Sequence, residues 1–512
     1  MTSAASDFTG VVNLDVAGPT ISRHLYGHFA EHLGRCIYEG FWVGEDSSIQ
    51  NTAGVRDDVV QALKQINIPN LRWPGGCFAD EYHWTNGIGP RAERPAMVNT
   101  HWGDVVEDNS FGTHEFMQLC ELLGAEPYVS GNVGSGTVAE MSDWVEYLTR
   151  SGDAPMSRLR GEHGRTEPWK VPFWGIGNES WGCGGNMTAI QYAQLAAQFS
   201  TYCRNHDGNE LYRIAAGPNS DDYAWTETLM KSIATLGKGV EPRHHHSWQA
   251  LSFHYYTLAT DDWLHKGSAT DFDAADYHRT MVNAWRMDEI VAGHSRVMDV
   301  YDPDATIGLV CDEWGTWWDV EPDTNPGFLF QQNSLRDALV AGLHFDVFHA
   351  NARRLVMANI AQTVNVLQAM VLTDGPRMVL TPTYHVFAMN AGHQDATSHP
   401  VQVTTPGATY EGPEGSYPTV TTSVSSRPGS VLVSLTNLDV EATNTVTLSL
   451  RGREWNLGTA RILTAPSLQT HNTPDDPSAV TPTTFDGARQ DGQTLVVELP
   501  AHSFATVELT LA

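Results

Sequence analysis

A chain of 512 residues is too long for one ordinary core and predicts two or three domains, one of them large enough to be a barrel. Hydrophobic residues at 41% against charged residues at 18% exclude a disordered chain. The formal charge of -30, spread without blocks of like sign, excludes nucleic acid and an anionic membrane surface as partners. The opening "MTSAASDFTGVVNLDV" lacks a basic segment followed by an apolar one, and no apolar run is long enough to span a bilayer, so the expected address is cytoplasmic. Cys36, Cys77, Cys120, Cys183, Cys203 and Cys311 are irregularly spaced with no CxxC pair, which predicts reduced thiols and no zinc site.

In chain order, "FTGVVNLDVAGPTI" alternates apolar and polar residues and precedes the first barrel strand, so residues 1–22 are assigned to a sheet that the C-terminal part completes. From 23 to 380, short apolar runs alternate with amphipathic segments, the pattern of repeated βα units. The predicted strands are "HLYGHF" (24–29), "NLRWPGG" (70–76), "EPYVSGN" (126–132), "VPFWGIGN" (171–178), "RIAAGPN" (213–219), "ALSFHYY" (250–256), "TIGLVCDEW" (306–314) and "RLVMANI" (354–360). Between them lie helical patterns such as "RDDVVQALKQI", with Val59, Leu63 and Ile66 on one face, and "TAIQYAQLAAQFSTYCRNH". Eight strands with intervening helices predict an α/β fold, a (β/α)8 TIM barrel. From 381 to 512 the alternating segments "SVLVSLTNL", "TNTVTLSLRG", "QTLVVELP" and "FATVELTL", separated by turn residues, predict a C-terminal antiparallel β-sandwich of jelly-roll type.

Chemistry in such a barrel collects at the C-terminal ends of the strands. Asn178 and Glu179 fall at the end of strand four, Asp312 and Glu313 at the end of strand seven, and the two ends face each other across the mouth. A pair of opposed carboxylates is what glycosidic cleavage needs, although either one alone could equally be neutralised by a barrel Arg or Lys. Glu31 and His32 after strand one, His254 and Tyr256 on strand six, and Gln362 and Asn365 after strand eight add polar groups, with Trp73, Trp181, Trp314 and Trp317 as aromatic walls. "GNVGSG" and "GIGNES" lack the spacing of a dinucleotide or phosphate loop, no G-x-S-x-G elbow is present, and "RHHHSW" (243–248) reads as a solvated loop.

The ordered set "YGHFAEHLGRCIYEG", "RWPGG", "GIGNES", "SFHYY", "CDEWGTWW" and "AQTVNV", followed by a sandwich, resembles the α-L-arabinofuranosidases of glycoside hydrolase family 51 over nearly the whole chain. The resemblance implies an exo-acting, retaining enzyme that needs no cofactor and no metal for chemistry and assembles as a homo-oligomer, usually a hexamer. Its substrate would be an arabinose-containing oligosaccharide derived from arabinoxylan or arabinan. Carried over, Glu179 becomes the acid/base and Glu313 the nucleophile, with Asn178 beside the sugar 2-hydroxyl and Glu31, Tyr256 and Gln362 in the glycone pocket. His254, Trp317 and Cys77 complete the substrate-binding set. Cys77 stands after Pro-Gly-Gly where the resemblance leads one to expect Asn, and with Cys183 four residues past Glu179 the two thiols are candidates for neighbours at the rim, their pairing left open. A related glycosidase acting on xylosides or β-glucans, or a non-catalytic sugar-binding protein, would share many of these features. Retention predicts carboxyl groups roughly 5 to 5.5 Å apart, Glu179 protonated and Glu313 ionised.

Overall fold

The computed structural model describes residues 7–235, 248–260 and 262–511, so the histidines of "RHHHSW" lie outside the described residues. Eight parallel strands close a ring in sequence order: Gly27–Phe29, Asn70–Trp73, Glu126–Gly131, Phe173–Ile176, Tyr212–Ala215, Ala250–Thr257, Gly308–Thr316 and Leu355–Ala361. All eight predicted strands are present. The first is shorter than expected, because Arg23–Tyr26 winds into a 3-10 turn capped by the Ser22 hydroxyl and the strand begins only at Gly27. Below the mouth the ring is plugged by Tyr128, Phe173, Ile214, Ala250, Val310 and Met357, so the barrel is a packed core and not a pore. Among the described residues no helix is long and apolar enough to cross a membrane.

The alternating segments begin later than 381. Pro382–Asn390 is helical, with Thr381 capping its N-terminus and Pro382 in its first turn, and it follows strand eight as the last helix of the barrel layer. The sandwich that follows has a six-stranded sheet containing Val420–Arg427, Ser430–Asn437, Ser503–Leu511 and Trp455–Leu463, and a five-stranded sheet that includes Asp7–Asn13. It is not wholly antiparallel. Asp7–Asn13 runs parallel to Asn444–Arg451, because the strand arrives from the other end of the chain and not by a hairpin.

Helix Leu335–Ala350 is buried between barrel and sandwich. There Asp346 accepts hydrogen bonds from the hydroxyls of Thr421, Ser423, Ser434 and Thr436 on the six-stranded sheet. Burial pushes its carboxyl from 3.8 up to about 6, although the four hydroxyls pull it back. Between about pH 4 and pH 6 the folded chain therefore holds a proton that the unfolded chain has released, so stability falls as pH rises through that window. Above it the ionised carboxylate costs on the order of 3 kcal/mol. Asp346→Asn is expected to raise the melting temperature by a few degrees near pH 8 and to leave it nearly unchanged near pH 4, as read by calorimetry.

Candidate active site

Strand four ends at Ile176, and two residues in left-handed backbone, Gly177 (φ 83) and Glu179 (φ 35), turn the chain back over the barrel mouth. The Glu179 carbonyl accepts from the amides of Gly182 and Gly184, at 2.7 and 3.1 Å, which holds this uncommon conformation for a residue with a side chain. Between strands six and seven, Ser252 pairs with Val310 but His254 pairs with Glu313, so strand seven carries one extra residue. That bulge breaks the two-residue alternation and lets consecutive Asp312 and Glu313 both reach the interior. Their neighbours Cys311 and Trp314 face the other way, into the helix layer.

Arg72 of strand two holds the site together. Its guanidinium donates to Glu313 Oε1 at 2.8 Å, to Asn178 Oδ1 at 2.7 Å and to the Asp312 carbonyl at 3.1 Å, and it stacks on the Phe29 ring. The Tyr256 hydroxyl donates to the other Glu313 oxygen at 2.7 Å. Both oxygens of Glu313 are thus fixed. His254 spans the carboxylates, with Nδ1 2.8 Å from Glu179 Oε1 and Nε2 3.0 Å from Asp312 Oδ1. Burial pulls the imidazole down, but Glu313, Asp312 and Glu179 outweigh it and lift it to about 10, so both of its nitrogens donate across the working range of pH. Asp312 is buried too, yet Arg72, His254 and the Tyr128 hydroxyl hold it down at about 2. One oxygen of Glu179 and one of Glu313 lie within 4.8 Å of each other.

Glu31 forms the floor beside them. It accepts from the amides of Gly76 and Phe78, from Trp102 Nε1 at 3.0 Å and from Gln362 Nε2 at 2.8 Å. Burial and Glu313 push it up to about 7 while these donors oppose the shift. Gln362 Oε1 is buried without a protein partner. A small pocket lined by Glu31, Gly76, Cys77, Trp102, Gln362 and Leu367 meets a wider cleft of about 470 Å³ walled by Trp181, Tyr255 and Trp263, the two sharing Glu179, Tyr256 and Trp317. The Pro-Gly-Gly turn is explained by crowding: a Cβ on Gly76 would sit 2.6 Å from Glu313 Oε1, and one on Gly75 would sit 2.7 Å from Glu31 Cγ. Gly76→Ala is expected to displace the Glu313 carboxylate and lower kcat/KM by about 100-fold, checked by steady-state kinetics alongside unchanged far-ultraviolet circular dichroism.

All nine sequence-chosen site residues gather at this mouth, whereas four of the wider candidates do not. Trp73 and Trp314 are buried in the helix layer, against Phe116 and Phe348 respectively, because alternation turns them away from Arg72 and Glu313. His32 is held between Glu107 and Trp73, and Asn365 ties the loop at Arg35 to the strand Val371–Asp374 through the Thr373 hydroxyl. The thiol expectation also fails at one place. Cys77 and Cys183 form a disulfide whose sulfurs lie 3.7 and 3.4 Å from Glu179 Oε2, and only Cys36, Cys120, Cys203 and Cys311 are free. The loops that carry the pair converge on Glu179, which irregular spacing along the chain could not show. Arg72 and Trp102 were missed. The signal for Arg72 was a lone cation inside a fully buried strand, "NLRW", where burial demands partners.

Family profiles described as the α-L-arabinofuranosidase 1 domain and the α-L-arabinofuranosidase C-terminal domain match residues 62–260 and 312–503. An intracellular exo-α-L-arabinofuranosidase of Bacteroides ovatus is 49% identical over 509 residues, covering 99% of this chain and 96% of that one. The chain belongs to the α-L-arabinofuranosidases of glycoside hydrolase family 51. The family-51 arabinofuranosidase of Xanthomonas axonopodis pv. citri superposes with a TM-score of 0.94 at 48% identity, over 99% of this chain and 100% of that one. An arabinose complex of the Thermotoga maritima α-L-arabinofuranosidase gives 0.85 at 29% identity, over 99% of this chain and 100% of that one. Both superpositions take in the barrel and its C-terminal sandwich together.

Proposed function

We propose that the protein is an exo-acting, retaining α-L-arabinofuranosidase that releases L-arabinose from the non-reducing ends of arabinose-containing oligosaccharides, with Glu313 as nucleophile and Glu179 as acid/base. The observation that carries this is the approach of the two carboxyl groups to within 4.8 Å, close to the separation of roughly 5 to 5.5 Å that direct attack on the anomeric carbon requires. Glu313, gripped by Arg72 and Tyr256, attacks C1 as Glu179 gives its proton to the leaving oxygen. A covalent arabinosyl ester remains. Glu179 then takes a proton from water, and the water attacks C1 from the face the leaving group vacated, restoring the starting configuration. Arg72 occupies Asn178 Oδ1, which leaves the Asn178 amide nitrogen to donate to the sugar 2-hydroxyl as charge develops at C1. Glu31 and the unpartnered Gln362 Oε1 supply acceptors for the other glycone hydroxyls, and Trp317, Cys77 and His254 close the sides.

Catalysis in this reading belongs to the barrel and its helix layer, and the N-terminal strand and sandwich form a second unit. An intracellular address, taken from the Bacteroides ovatus relative, favours short arabinoxylan- or arabinan-derived oligosaccharides over intact hemicellulose, and a hexamer is the expected assembly. Hydrolysis of 4-nitrophenyl α-L-arabinofuranoside, with the product anomer followed by proton NMR, tests the proposal. First formation of the α-anomer supports it. First formation of the β-anomer, or hydrolysis of the xyloside alone, overturns it.

A further inference from the structure

The wall of the pocket beside Glu179 holds chemistry that glycoside cleavage does not use. Cys77 Sγ and Cys183 Sγ lie 3.7 and 3.4 Å from the same oxygen of Glu179, and as disulfide sulfurs they bring no proton to it. Resting on the assignment of Glu179 as acid/base, we propose that the Cys77–Cys183 pair is the closed form of a thiophilic metal site. Once reduced, its two sulfurs and the Glu179 carboxylate bind a soft divalent cation such as zinc or cadmium, which withdraws Glu179 from turnover.

The donor set suits such an ion. Two thiolates and a carboxylate are ligands zinc favours, and the three atoms already lie within 4.8 Å of one another. Metal–sulfur bonds of about 2.3 Å in tetrahedral geometry need the sulfurs roughly 3.8 Å apart, so they must separate after reduction. The chain around Cys183 permits this, since Gly182, Gly184 and Gly185 flank it, and Cys183 is part-exposed at the rim. Cα atoms 5.6 Å apart already suit a shared ion. The remaining cysteines, Cys36, Cys120, Cys203 and Cys311, are buried in the core and do not compete.

The chemistry balances with a dithiol as reductant. It delivers two electrons to the sulfur–sulfur bond, each cysteine sulfur takes a proton, and the dithiol closes to its own disulfide. Metal entry then sends both thiol protons to solvent as two metal–sulfur bonds and one metal–oxygen bond form. Without reduction the sulfurs lack the negative charge that holds the ion.

The test uses the whole protein, as oxidised and after treatment with a trialkylphosphine that takes oxygen from water as it is consumed and is then removed without air. Cadmium titration followed by thiolate-to-cadmium absorption reads the site without reference to activity. Hydrolysis of the aryl arabinofuranoside in buffered zinc reads the consequence. The reduced protein is expected to bind one cadmium ion per chain with that absorption, and to lose activity at zinc concentrations about 100-fold below those that affect the oxidised protein, with a chelator restoring it. Reduced Cys183→Ser should show neither effect. Equal absorption and equal zinc sensitivity in oxidised and reduced wild type, or full absorption in Cys183→Ser, overturns the site. Stoichiometric cadmium absorption with activity intact overturns the withdrawal of Glu179 from turnover, and the burst and azide rescue of Glu179→Ala then show whether the acid/base assignment fails as well.

Discussion

Glu313→Ala is expected to abolish turnover of every arabinofuranoside, activated or natural, by roughly 10⁴-fold or more in kcat. No other carboxylate can take its place. Asp312 is adjacent in sequence, but its oxygens are taken by Tyr128 and His254 and it lies beneath the pocket, not on it. Glu31 is committed to four donors on the pocket floor. The substitution also leaves the Arg72 guanidinium and the Tyr256 hydroxyl without the acceptor that neutralised them, so the loss has an electrostatic part that Glu313→Gln would reveal by being less damaging to stability than Glu313→Ala. Rates on aryl substrates with leaving groups of different acidity check the assignment. A residue that forms the covalent bond is required whatever the leaving group, so residual activity that recovers with a better leaving group would show that Glu313 is not the nucleophile.

The barrel was legible because strand and helix periods differ and alternate eight times over, and because a buried parallel strand is apolar along its length, as in "GLVC" and "FWGI". Glu179 and Glu313 were legible for the opposite reason, as charges at the ends of runs that otherwise exclude charge. What periodicity could not give was which way consecutive residues face. Trp73 and Trp314 were placed in the pocket on position alone; plain alternation beside Arg72 turns Trp73 outward, whereas the facing of Trp314 depends on a bulge whose extra residue is visible only in the pairing of strands six and seven. Arg72 and Trp102 reach the site from separate loops and strands, and the Cys77–Cys183 bond joins residues 106 apart, so both are facts of closure and not of local pattern. The helix at Pro382–Asn390 was legible in its Thr-Pro start but was absorbed into the sheet pattern that follows it.

Glu179→Ala is expected to act on the two steps unequally. With a 4-nitrophenyl leaving group, which departs without a proton, formation of the arabinosyl ester should proceed, and release should slow by about 10² to 10⁴-fold because no base activates water. The ester then accumulates and appears as a burst of nitrophenol followed by a slow steady rate. Removing the side chain leaves a space lined by His254, whose imidazolium lies 2.8 Å from the present Glu179 oxygen and attracts a small anion. Azide entering there attacks C1 without needing a base and yields the arabinosyl azide of retained configuration. Applied to Glu313→Ala, the same anion occupies the opposite face of the sugar, where it can only give the inverted azide. The anomer of the azide product, read by NMR, therefore distinguishes the acid/base from the nucleophile even where both variants are nearly inactive, and rescue of neither variant would mean that the two roles lie elsewhere.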